Sequence, residues 1–198
     1  MKILILSDIH ANFKALNSLD YEISHAERVL FLGDIIGYYE EVNEVVDYIR
    51  SKNNVISIRG NHDNYLWDTP NNLNDAVDKG IQYAKKHLTE SNKQWIQNLP
   101  FYRIIDCNGL SILMVHGSPW DYSNEYLYPD NPNILKLLNL DYDAIFFGHT
   151  HRPLLLTRNG KIAANPGSVG QSRHTKQYAC ALWWNTETQE TDFISRPY

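Results

Sequence analysis

A chain of 198 residues, 43% hydrophobic and 21% charged, has the composition of an ordinary globular protein and is long enough for one α/β domain with a full core. No apolar run approaches the roughly 18–20 residues that span a bilayer, so no membrane partner is expected. A formal net charge of −5 argues against a nucleic-acid polymer tracked along a long basic groove, but not against a small phosphorylated substrate, because bound metal ions would set the local field.

The run Lys2-Ile3-Leu4-Ile5-Leu6 predicts a central strand buried on both faces. It is superficially signal-like, but it is too short for a leader and has no small-residue cleavage site behind it. Ser7-Asp8-Ile9-His10 closes the strand, placing Asp8 and His10 where open α/β sheets bind ligands. Asn12 can cap a helix carrying Phe13, Leu16, Leu19 and Ile23 at helical spacing. Residues 28–32 form a second apolar run, ended by Gly33-Asp34, and Val42, Val45, Val46 and Ile49 give a second helical face. A third run at 55–58 leads into Arg59-Gly60-Asn61-His62-Asp63. Here glycine breaks the strand and permits a tight turn. The asparagine amide is a neutral oxygen ligand, the imidazole can ligate or move protons, and the carboxylate can orient that imidazole. The alternation of strand and helix predicts parallel βαβ units. Taken singly, each polar cluster also reads as a turn or a cap, and Asp34 as a turn aspartate bonding its own backbone.

Residues 67–98 read as largely helical. One helix starts at Asn74 or Asp75 and carries Val77, Ile81, Tyr83, Ala84 and Leu88; Thr89-Glu90-Ser91 precedes a second with Trp95, Ile96 and Leu99, closed by Pro100. His25 and His87 read as helix-surface histidines. Runs at 101–105 and 110–115, joined through Asn108-Gly109, predict a hairpin whose second strand ends in His116-Gly117. The loop from Ser118 to Pro132 carries Trp120, Tyr122, Tyr126 and Tyr128. It reads as local packing, as the wall of a pocket, or as a subunit contact that leaves a homo-oligomer open. A strand at 143–147 ends in Gly148-His149-Thr150-His151, whose two rings can converge. A second Asn-Gly hairpin joins 154–157 to 161–164. The polar loop Asn165-Pro166-Gly167-Ser168-Val169-Gly170 and strands at 178–184 and 191–195 complete the chain. This strand-rich half fits two stacked sheets with helices outside. His174 is expected in solvent. Cys107 and Cys180 lie far apart without CxxC spacing, which fits a reducing cytoplasm rather than a disulfide framework. No repeat or linker divides the chain, so residues 1–198 are expected to form one domain.

Asp8, His10, Asp34, Asn61, His116, His149 and His151 are oxygen and imidazole donors without a thiolate, a set that suits two divalent transition-metal ions such as Mn, Fe, Zn or Ni. Seven donors exceed the needs of one tetrahedral ion and fit two ions sharing a ligand. Of the eight histidines, His10, His62, His116, His149 and His151 lie in clusters at strand ends, which scattered surface histidines would not do.

In these motifs, Asp8-Ile9-His10, Gly33-Asp34, Gly60-Asn61-His62-Asp63, His116-Gly117 and Gly148-His149-Thr150-His151, the chain resembles the calcineurin-like metallophosphoesterases over roughly residues 1–170. The length and the loop 165–170 look like the small bacterial and archaeal branch, whose related enzymes hydrolyse phosphodiesters or phosphomonoesters. The resemblance implies an α/β fold, a four-layer α-β-β-α sandwich of two mixed β-sheets flanked by helices. It also implies that Asp8, His10 and His151 hold one ion, Asn61, His116 and His149 the other, and that Asp34 bridges them.

Water held between two cations is deprotonated near neutral pH, and the resulting hydroxide attacks phosphorus while the ions spread the charge of the transition state. The leaving oxygen needs a proton. His62 is the motif histidine not required as a ligand and is assigned as general acid, with Asp63 orienting its ring. Arg59 either contacts the phosphate or pairs with a surface carboxylate. The expected activity is therefore phosphodiesterase or phosphatase. Two rivals remain at this point: a non-catalytic scaffold on the same fold, and a nuclease, disfavoured by the acidic balance.

Overall fold

A computed structural model describes residues 1–198. The chain runs β1 (Lys2–Leu6), α1 (Phe13–Asn17), α2 (Asp20–His25), β2 (Arg28–Phe31), α3 (Val42–Ser51), β3 (Val55–Ser57), α4 (Asn61–Asn64), α5 (Asp75–His87) and α6 (Glu90–Gln97). The second half is β4 (Tyr102–Cys107), β5 (Leu110–Val115), a 3-10 segment (Ile134–Asn139), β6 (Ala144–Phe146), β7 (Pro153–Arg158), β8 (Lys161–Pro166), β9 (Tyr178–Asn185) and β10 (Thr191–Pro197). No helix is long and apolar enough to cross a membrane.

Two mixed five-stranded sheets result, with strand orders β10-β9-β1-β2-β3 and β4-β5-β6-β8-β7. β1, β2 and β3 are parallel, as are β5, β6 and β8, while β9, β10, β4 and β7 run antiparallel to their neighbours. The period-2 alternation of strands explains the stacking. Ile3 and Ile5 of β1, with Leu182 and Trp184 of β9, point to one face and meet Ile112, Met114, Phe146 and Ala164 of the second sheet. Leu4, Leu6, Val29 and Phe31 point the other way, into a core shared with the helices. The outer face of the second sheet is covered differently. Leu113, Val115, Ile145 and Phe147 pack against Leu127, Ile134 and Leu137, so the fourth layer is the 3-10 segment and the aromatic loop rather than a long helix.

Local signals explain most boundaries. Asn12, Asn74 and Thr89 cap α1, α5 and α6, accepting N–H bonds from Ala15, Val77 and Asn92. Asn108-Gly109 and Asn159-Gly160 both carry positive φ at both positions, the twist that a two-residue hairpin requires. The helix expected across residues 13–23 is instead two. The Ser18 hydroxyl donates to the Ala15 carbonyl at 2.7 Å, and the chain restarts after Leu19. The parallel arrangement of β1, β2, β3, β5 and β6 brings their carboxyl ends to one edge of the sandwich, and the polar clusters lie just beyond those ends.

Candidate metal centre

Asp8 and His10 follow β1, Asp34 follows β2, Asn61 opens α4 after β3, His116 follows β5, and His149 and His151 follow β6. The structure gathers all seven, and His62 with them. Three groups of ligand atoms lie within 4.8 Å of one another: Asp8, His10 and His151; His10, Asp34 and His62; and Asp34, His116 and His149. Asn61 joins the third group through its Oδ1, which lies 3.0 Å from His116 Nε2. Asp34 Oδ2 is 3.3 Å from His116 Nε2 and 3.9 Å from both His10 Nε2 and His62 Nε2. Its carboxylate therefore stands between the two sides of the cluster.

The imidazoles are held in defined orientations. His10, His116 and His151 are bonded through Nδ1 to the carbonyls of Ile36, Leu32 and Gln171, leaving Nε2 directed inward. His149 is reversed: its Nε2 meets the Asn124 carbonyl at 3.2 Å, so Nδ1 is the free ligand atom. Its ring stacks on Tyr126, with centroids 3.8 Å apart. The aromatic loop thus leans directly on the centre. Tyr65 accepts the Asn61 Nδ2–H at 2.8 Å and so keeps the amide oxygen facing His116.

Backbone strain concentrates here. Asp8, His10, Asp34, His149 and His151 all have φ between 54° and 67°. Non-glycine residues in this region cost on the order of 1–3 kcal/mol each and persist only where the surroundings over-determine them. The loop 165–170 is part of that scaffold. Ser168 Oγ donates to the Asp8 carbonyl, Gly170 N–H to the same oxygen, and Asn165 Nδ2 to the Gly148 carbonyl.

Asp8 Oδ1 and Asp34 Oδ2 are buried and lack any hydrogen-bond partner. Buried carboxylate oxygens are normally paired, so two orphans facing a ring of imidazoles fit a cation between them. The charge balance agrees. Burial pushes Asp8 up, but His151 and His116 outweigh it and hold the carboxyl below its usual range. Burial likewise opposes ionisation of Asp34, while His116 and His62 bring it well below the usual range. His116 resists burial through Asp34 and is pushed up to about 9. Burial lowers His10 and takes His149 down to about 3, so these two rings stay neutral, the form that ligates a metal. Burial lowers His62 as well, and the Asp34 carboxylate opposes that shift, favouring a proton on this ring.

Two expectations change. Asp63 does not orient His62. Its carboxylate accepts four backbone N–H bonds, from Asp34 at 2.9 Å, Gly60 at 3.0 Å, Ile35 at 2.9 Å and Ile36 at 3.2 Å. It therefore pins the loop that carries Asp34, while His62 Nδ1 is buried without a partner. Burial and the Asp34 charge push Asp63 up to about 7 against the pull of these N–H groups. Arg59 is not paired with a surface carboxylate: its guanidinium lies 4.2 Å from the Phe101 ring and reaches the Gln97 carbonyl at 3.5 Å. The reason for Gly60 also differs. Its backbone is extended (φ −95°, ψ −175°), and glycine is needed because a Cβ would collide with the Asp34 carboxylate.

Three residues at the centre were not among the candidates read from the sequence. Tyr38 sets its ring 4.8 Å from His10 and 5.4 Å from His62, and the Tyr65 ring sits 5.3 Å from His62. Tyr65 is one helical turn beyond Asn61, a spacing that could have revealed it. The third, Arg173, donates its N–H to the His151 carbonyl at 3.2 Å, and its positive charge opposes the burial-driven rise of both the Tyr38 and the Tyr126 phenols. His174 is exposed, as expected.

Comparison with known proteins gives a consistent result. The calcineurin-like phosphoesterase superfamily domain matches residues 1–188. The Methanocaldococcus jannaschii protein MJ0912, itself uncharacterized, is 33% identical over 195 residues, covering 86% of this chain and 77% of that one. A metallophosphoesterase from Sphaerobacter thermophilus superposes with a TM-score of 0.84 at 28% identity, covering 100% of this chain and 89% of the other. A hypothetical protein, PH1004 from Pyrococcus horikoshii OT3, shares the fold with a TM-score of 0.87 at 23% identity, covering 100% of this chain and 88% of the other. With the family pattern spanning nearly its whole length and buried His/Asp clusters at the strand ends, the chain belongs to the calcineurin-like phosphoesterase superfamily.

Proposed function

We propose that this protein is a phosphoesterase that hydrolyses phosphodiester or phosphomonoester bonds with two divalent transition-metal ions. The observation that carries this reading is the convergence of seven donors around the orphaned, buried Asp8 Oδ1 and Asp34 Oδ2. Asp8, His10 and His151 would hold one ion, Asn61, His116 and His149 the other, with Asp34 shared. Bound there, the ions would activate water for attack on phosphorus and offset the negative charge of the transferring group.

The chain's own residues supply the rest. Backbone carbonyls fix three imidazole tautomers, so the site needs little reorganisation on binding. His62, packed against Tyr38 and Tyr65 with Nε2 toward the cluster, donates the proton to the leaving oxygen. Asp63 acts at one remove, by holding the Asp34 loop. Arg173, whose charge acts on the Tyr38 and Tyr126 phenols beside the centre, offers a cation to a phosphate oxygen.

The test is a screen of mono- and diester substrates on protein reconstituted with Mn, Ni, Zn and Fe. Hydrolysis that depends on added metal and stops with chelator supports the reading. Absence of hydrolysis together with absence of metal binding would replace it with the scaffold alternative.

A further inference from the structure

A groove of about 940 Å³ opens beside the His10–His151 side of the centre. Tyr38, whose ring packs on His10, His62 and His151, forms its inner wall, and Gln171, whose carbonyl meets His151 Nδ1, lines it as well. It also carries Lys14, Arg152, Arg173 and Lys176, and the Arg173 charge acts on Tyr38. Glu41 is the sole acid of the lining, and its carboxylate accepts the Phe13 N–H at 2.8 Å.

This charge distribution runs against the whole molecule. The chain has 18 basic and 23 acidic side chains, yet the groove collects four of the former and one of the latter. None of the four cations is paired with a carboxylate within 4.0 Å, although Lys52, Lys93 and Arg196 elsewhere in the chain are. The opening on the Asn61 side is a contrast: Tyr65, Phe101, Asn124 and Asp68 line it, and no lysine or arginine does. A concave surface lined by one sign of charge concentrates the opposite sign, and guanidinium groups match phosphate geometry.

Building on the phosphoesterase reading, we propose that the groove is a subsite for a second phosphate group of the substrate. The preferred substrate class is then an organic phosphoester bearing a further phosphate on the same molecule. The scissile group sits at the metal centre, Arg173 stands at the junction, and Lys14, Arg152 and Lys176 receive the second phosphate. Singly phosphorylated esters leave the groove unfilled.

The experiment compares two esters with the same scissile bond: the p-nitrophenyl ester of thymidine 5′-phosphate, with and without a 3′-phosphate. On Mn-loaded protein at low salt, kcat/KM is expected to favour the 3′-phosphorylated ester roughly 10-fold, the scale for a few exposed ion pairs acting together. That preference should fade as salt is raised and fall toward one in Lys14→Ala/Arg152→Ala/Lys176→Ala. Hydrolysis of both esters with a ratio near one, or a ratio that the substitutions leave unchanged, overturns the subsite while the hydrolase reading stands. If neither ester is cleaved, the groove is read on metal-stripped protein by calorimetry with inorganic pyrophosphate, and the hydrolase reading is left to the mono- and diester screen. Binding that weakens about tenfold in the triple variant supports the subsite; no binding, or binding indifferent to the substitutions, overturns it.

Discussion

Asp63→Asn separates two roles for the motif carboxylate. The wild-type Oδ1 accepts from Ile35 and Ile36, and Oδ2 from Asp34 and Gly60. An asparagine keeps one oxygen and turns an NH2 toward the other pair of donors. Two buried N–H groups left unpaired, at about 1–3 kcal/mol each, give a loss of about 2–6 kcal/mol. That is a large share of the roughly 5–15 kcal/mol that ordinarily separates folded from unfolded. The Asp34 loop, already at φ 58°, would loosen, and metal affinity should fall about 10–100-fold, as for groups that orient ligands. Urea denaturation of chelator-treated protein gives the first number, and competition against a metallochromic dye gives the second. Turnover at saturating metal gives a third, taken in Asp63→Asn, His62→Ala and the double variant. If Asp63 acts through the backbone, its effect on turnover adds to that of His62. A variant within about 1 kcal/mol of wild type, with unchanged metal affinity and a turnover defect that vanishes in the His62→Ala background, would refute this role and restore Asp63 as the partner of the imidazole.

Other consequences are sharper in sign than in size. His62→Ala should retain metal yet lower turnover about 10²–10⁴-fold on esters with poor leaving groups, and unimpaired turnover there would remove its role as general acid. Gly37→Ala would bring a Cβ to 2.5 Å from His10 Nδ1 and 2.6 Å from His62 Nδ1, at a backbone φ of +151°, so metal binding and activity should both fall while an alanine at the open Gly109 or Gly160 turns leaves the centre untouched. In the metal-stripped protein, burial holds His10, His62 and His149 below the ordinary imidazole value of 6.5. Their contribution to stability is therefore present above about pH 6.5 and is lost as the pH falls below it, down to about 3 for His149, by up to about 1.4 kcal/mol per pH unit for each group, because the unfolded chain takes up protons that the native chain resists. Asp63, pushed up to about 7, works in the opposite direction with one group against three. Denaturation curves showing stability flat or rising on acidification from about pH 6.5 to 4.5 would contradict that balance.

The parts of the fold readable from sequence are those whose causes are local. Runs such as Ile3–Leu6 must be buried, Asn-Gly turns favour positive φ, and Asn12 and Asn74 cap the helices that begin just after them. The clustering of Asp8, His10, Asp34, Asn61, His116, His149 and His151 was readable for a similar reason: parallel strands bring their carboxyl ends to one edge, so polar residues placed after them converge. The features that escaped depend on distant backbone. The role of Asp63 is defined by N–H groups of residues 34–36, nearly thirty positions away, and the reversal of His149 by a carbonyl at Asn124. Arg59 found the Phe101 face rather than a surface carboxylate because Pro100 and Phe101 return beside β3, where the Arg59 N–H bonds the Pro100 carbonyl. Tyr38 and Arg173 belong to loops with no periodicity to announce a buried edge. Gly60 was legible as necessary but not for its reason, since a Cβ collision with Asp34 leaves no trace in local composition.

The central claim is that the strand-end cluster holds two ions and that hydrolysis depends on them. Metal content measured by mass spectrometry on chelator-stripped, Mn-reloaded and desalted protein tests it most directly, with Asp34→Asn carried in parallel. The account predicts two ions per wild-type chain, and a joint loss of metal and esterase activity in the variant. Hydrolysis that persists in metal-stripped protein, or a wild-type chain that retains no ion, would contradict it.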